Sequence, residues 1–161
     1  MFNPGKDIRA AGEAGGIVTA IPLPGNAVES GIEFEVVWVD EGVVELKIRA
    51  SNGRFSGETC VYVRGIDDLK RPLAGFPSSP SDHRRLELGA GGRAALGFSC
   101  ADGAGHVIVE VRLRTEPDYG GREESVILHI PVESAAIDAF CAELSRMKIE
   151  VGARVKLPSA D

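Results

Sequence analysis

Ser81, Asp82 and His83 stand side by side in "SSPSDHRR", residues 78–85. They are the side chains of a hydrolytic triad: a hydroxyl nucleophile, an imidazole base and a carboxylate that orients the base. Triad members are brought together in space by separate elements. Three neighbours on one loop punctuated by Pro77 and Pro80 diverge instead, and no GxSxG elbow occurs in the chain. Ser81 and Asp82 have a simpler use as turn formers, because their short side chains bond nearby backbone groups. The expectation is a connector or contact loop with no catalytic constellation.

The other histidines are His106 and His129. If Arg112 pairs with Ile127, Glu110 lies across from His129 on the face away from the alternating apolar residues. A Glu–His pair can be a general base or half a metal site. Its ordinary role is a cross-strand contact of about 0.2–1 kcal/mol. His106 sits two or more residue steps away and completes no ligand set. The glycines of "GAGGRAALG" do not spell GxGxxG between a strand and a helix, and P-loop, HExxH and EF-hand patterns are absent from the sequence. No residue is assigned to catalysis, to a metal or to a cofactor.

Cys60, Cys100 and Cys141 are odd in number, far apart and without a CxxC pair, which fits neither a disulfide framework nor a zinc knuckle. They read as reduced cysteines in or near the core. The net charge of −6 disfavours nucleic acid and suits a soluble chain or one with a basic partner. No apolar run reaches the ~18 residues of a membrane helix, and the N-terminus lacks a signal-like apolar segment. The expected compartment is the cytoplasm.

Alternation supplies the elements that must position these residues. Residues 1–31 read as an N-terminal arm, with "GIVTAIPLPG" as an edge strand or a loose segment. "FEVVWV" and "VVELKIRA" flank a three-residue turn, "DEG", in a register that sets Trp38 against Val44, Val36 against Leu46 and Phe34 against Ile48. Asn52-Gly53 then predicts a two-residue hairpin that sets Leu46 against Thr59. Leu69, Leu73 and Phe76 follow at helical spacing, with Pro72 interrupting a regular helix. "RLELG" is a short strand.

A second meander pairs "RAALGFSC" with "HVIVEVRLR" through a two-residue type II′ turn led by Gly103. Cys100 then meets Val107, Phe98 meets Val109 and Leu96 meets Val111. "ESVILHIP" adds a strand. "VESAAIDAFCAELSRM" is the clearest helix, with Ile137, Phe140, Cys141, Leu144 and Met147 on one stripe. Residues 149–161 are a tail that could add a strand at 149–151.

The fold class predicted is α+β. One antiparallel sheet of six to seven strands, in two meanders, carries a short helix and a long C-terminal helix on one face, within a single domain spanning 32–148. The expected core includes Trp38, Leu46, Phe98, Val109, Leu128, Phe140 and Leu144. Val37, Val39, Ile108 and Ile127 on the opposite face make it amphipathic. With Lys47, Glu58, Tyr62, Glu110, Arg112 and His129 it forms either a face covered by terminal segments or a partner-binding surface.

"GFPSSPSD…LELG", "HVIVEVRLR" and "SVILHIPVESAAIDAFCAELSRM" together resemble an uncharacterised family of small bacterial proteins, similar in layout to the WapI-type immunity proteins. The likeness spans about residues 33–148; Pro72 and the N-terminal arm depart from it. It implies a non-enzymatic binder that neutralises a toxin, and it transfers no functional residue. The expected function is a protein-interaction module with a protein partner, in its finer form a basic toxin. The alternative is a small-molecule-binding module or enzyme, with its site between sheet and helices or at the 77–92 loop.

Overall fold

Two complete apolar faces, one per meander, dictate the architecture. The computed structural model describes residues 29–160; the strand expected within "GIVTAIPLPG" lies outside them. Among the described residues, eight strands form two four-stranded antiparallel sheets rather than one sheet of six or seven. Sheet A holds β1 (Gly31–Asp40), β2 (Val43–Ser51), β3 (Ser56–Val63) and β8 (Arg154–Pro158), in the order β3-β2-β1-β8. Sheet B holds β4 (His83–Leu88), β5 (Ala94–Cys100), β6 (His106–Arg114) and β7 (Ser125–Glu133), in sequence order. Within a single sheet, both apolar faces would have to be covered by two short helices. Packed against each other, they bury one another in one core.

The sheets cross steeply. Along β3, Gly57 abuts Val126 of β7, Thr59 Oγ1 donates to the Arg114 carbonyl at the end of β6 at 2.7 Å, and Val61 lies against Gly89 just beyond β4. Four residues of strand span about 13 Å, and the three gaps from β7 to β4 span about 14 Å. β3 therefore runs across the strand ends of sheet B, the orthogonal class of packing.

The two α-helices among the described residues are short. α1 (Asp67–Lys70) passes into a 3-10 turn, Arg71–Leu73, that accommodates Pro72. Leu69, Leu73 and Phe76 are buried as their spacing predicts. α2 (Ser134–Arg146) has 13 residues and buries Ile137, Phe140 and Leu144. It is neither long nor C-terminal. A turn after it lets Gly152 N donate to Val36 O and Val36 N donate to Ala153 O. The tail then adds β8 beside β1, at 154–158 rather than 149–151. Beyond it, Ala160 N donates to Pro131 O on β7 and ties the two sheets together.

The β5–β6 and β6–β7 registers match expectation, including Phe98 opposite Val109 and Glu110 opposite His129. The β5–β6 turn does not use Gly103 as its left-handed residue; Gly105 has φ 100°, and Asp102 Oδ1 accepts from Ala104 N. Two registers of sheet A differ. Leu46 faces Val61, not Thr59, because four residues close the β2–β3 loop. In β1, a bulge at Val37 moves Trp38 opposite Glu45. Its cause is the turn: Asp40 pairs with Val43, leaving a two-residue loop with Glu41 at φ 38° and Gly42 at φ 86°. That tight turn is one residue shorter than the sequence allots, and the bulge absorbs the extra residue.

Candidate functional site

The triad residues form no triad. Asp82 accepts from Ser78 N and Ser78 Oγ, and both its oxygens accept from Arg84, each at 2.9 Å. The Arg84 bonds, then those from Ser78, hold its carboxyl far below the usual carboxylate range. Ser81 Oγ lies 3.2 Å from Ser79 Oγ, and no hydrogen bond joins it to His83. His83 opens β4 with its side chain exposed. The 77–92 segment is thus an Asp82-clamped turn followed by a strand, His83–Leu88, that covers most of the "RLELG" stretch where a short strand is expected.

His129 Nε2 stands 3.5 Å from Glu110 Oε2, as the register requires. His106 makes its own contacts: Nδ1 lies 2.5 Å from Asp102 Oδ2 and Nε2 lies 3.6 Å from Glu133 Oε1. The Asp102 bond, and then the two carboxylate charges, raise its pKa above the ordinary histidine value. Among the described residues, no three His, Cys, Asp or Glu side chains are grouped to hold a metal ion. The three cysteines are free and half-buried. Cys60 faces outward from β3 rather than into the core, and burial raises the thiol pKa of Cys60 and Cys141.

The two-sheet fold divides the expected partner-binding residues. Lys47, Glu58 and Tyr62 project from the outer face of sheet A. Glu110, Arg112 and His129 project from the outer face of sheet B, on the opposite side of the core.

The outer face of sheet A has two unlike halves. At one end, charges neutralise each other: Arg49 bonds Glu33, Glu35 and Glu58, Arg154 bonds Glu35, and Lys156 bonds Glu29. At the other end the bulge turns Trp38 outward, so it leaves the expected core and is 43% exposed. Trp38, Glu45 and Tyr62 form one row across β1, β2 and β3. The Trp38 and Tyr62 rings lean together over β2, with centroids 6.3 Å apart and planes at 89°. Exposed Val43, on the same face as Glu45, widens the apolar area, whereas the bulge leaves Val39 opposite buried Val44 on the inner face rather than on the outer face expected for it. Beside Tyr62, a groove of about 300 Å³ is lined by Glu45, Glu58, Arg93 and Glu116. The sequence hid this site because strict alternation places Trp38 inside; the signal for it was the Glu41-Gly42 turn.

A second concavity, about 520 Å³, lies between α1 and α2 and is lined by Asp67, Lys70, Asp138, Cys141 and Ser145. Among the described residues, no helix is long and apolar enough to cross a membrane. The chain matches no family model, and no curated protein or solved structure is significantly similar to it.

Proposed function

We propose that this chain is a non-enzymatic protein-interaction module that binds its partner through the outer face of sheet A. The observation that carries the reading is the exposed Trp38–Tyr62 pair. Large aromatic side chains held at the surface by a bulge on a rigid sheet are the residue type that dominates binding energy at protein interfaces. The net charge of −6 favours a basic partner. The finer reading, drawn from the likeness in layout, is an immunity protein that neutralises a basic toxin by covering part of its surface. Three free thiols fit a reducing, cytoplasmic setting.

The test is co-expression with the product of the adjacent gene. A stable complex that is lost in a Trp38→Ser, Tyr62→Ser double variant with unchanged thermal unfolding supports the module. A complex indifferent to both substitutions refutes this face as the interface. The second reading, a small-molecule module, is favoured by the concavity between α1 and α2. Ligand binding that is abolished by filling it, as with Ser145→Trp, would favour that reading.

A further inference from the structure

We propose that Trp38, Tyr62 and Glu45 form a docking point for an arginine side chain of the partner. The inference rests on the interaction-module reading and adds the chemistry of the contact.

The Trp38 and Tyr62 rings meet edge to face, with centroids 6.3 Å apart, and both stay open to solvent, at 43% and 56% exposure. A guanidinium within about 6 Å of an aromatic face is attracted by the ring quadrupole, and its planar group stacks where an ammonium cannot. Glu45 lies in the same row, between the two aromatic residues, on the intervening strand. Its carboxylate makes no ion pair among the described residues, unlike Glu33, Glu35 and Glu58 at the other end of this face. Lys47, two residues along β2 on the same face, makes no ion pair with Glu45 among the described residues.

The other two carboxylates of the adjoining groove are already paired. Glu116 is matched by Arg93 at 2.6 Å and Glu58 by Arg49 at 3.2 Å, so Glu45 is the carboxylate left over. Asp40 and Glu41 stand exposed at the neighbouring turn. A cation arriving here meets two aromatic surfaces and an unneutralised carboxylate without breaking an existing pair. A partner carboxylate would meet repulsion at the same spot.

Trp38 is the only tryptophan in the chain, so its fluorescence reports this site directly. The probe is a short acetylated, amidated peptide containing two arginines; the control replaces both by citrulline, which has the same shape without charge. The arginine peptide is expected to change Trp38 emission saturably in the millimolar range, and the citrulline peptide to bind about tenfold more weakly. Glu45→Gln should weaken the arginine peptide by about tenfold, leave the citrulline peptide unchanged and retain the unfolding temperature. Tyr62→Leu should abolish the response. Equal binding of the two peptides, no saturable response, or no effect of Glu45→Gln overturns the assignment. If the partner complex survives Glu45→Gln but not loss of both aromatics, the module reading stands and the arginine site falls.

Discussion

Phe34 on β1 and Phe140 on α2 stand with ring centroids 5.5 Å apart and planes at 42°. Both are buried, at 2% exposure each. Through this contact α2 closes the core between sheet A and the β7 side of sheet B. Phe140→Ala is therefore expected to cost roughly 3–5 kcal/mol, the range for emptying a well-packed aromatic site. Urea unfolding followed by fluorescence gives the value. A loss below about 1 kcal/mol would mean that α2 is not part of the cooperative core.

Glu41 occupies the left-handed region at φ 38°, in the two-residue loop whose shortness expels Trp38. A residue with a longer side chain is strained there, whereas asparagine adopts it readily. Glu41→Asn should raise stability by about 0.5–1 kcal/mol with the Trp38 environment unchanged. A Trp38 emission shift to shorter wavelength would show instead that the turn had lengthened and returned the ring to the core.

Much of this fold is legible in sequence, and the failures share a cause. Alternation states which face of a strand is apolar, so the burial of Leu46, Phe98, Val109 and Leu128 was readable. It cannot state which apolar faces meet, and so it could not separate one sheet from two. It is also blind to a slip of two residues, which keeps every side chain on its own face. That is the error at β2–β3. Asn52 Oδ1 accepts from both Arg54 N and Phe55 N, and Asn52 N donates to Phe55 O, closing a longer loop than Asn-Gly implies. Phe55 is left 60% exposed. The bulge at Val37 is harder still, because its signal lies in turn geometry four residues away. It decides the candidate site, since it alone turns Trp38 toward Tyr62.

His106 links the tip of the β5–β6 hairpin to the end of β7 through Asp102 and Glu133. Its folded-state pKa is raised, first by the Asp102 hydrogen bond and then by the two carboxylate charges. A raised pKa means that the protonated form is favoured on folding. This stabilisation is fully present below the unfolded value of about 6.5 and is lost as pH rises through the folded value. Asp102 is lowered by the same bond, so its contribution is lost as acid passes below the ordinary aspartate range. The pair should be strongest between about pH 4 and 6.5. NMR titration of the imidazole should place His106 above the ordinary histidine value, and Asp102→Asn should bring it down. Being exposed, the pair should weaken with added salt.

Gly57 tests how the sheets meet. A Cβ built there would stand 2.6 Å from Val126 Cγ1, closer than packed atoms tolerate. Its conformation is not the obstacle, because Gly57 is not among the residues with positive φ. The absent side chain is what lets β3 cross sheet B at β7, with Thr59 next along the strand reaching the Arg114 carbonyl. Gly57→Ala should therefore destabilise by about 1–3 kcal/mol through overpacking. Val126→Ala alone should cost less than deletion at a fully buried site, because Val126 is only partly buried. Combined, the two should be less destabilising than the sum of their separate effects, since removing the Val126 methyls makes room for the new one. Strictly additive losses in denaturant unfolding would show that β3 and β7 do not touch at these residues, and with that the steep crossing of the sheets would have to be redrawn.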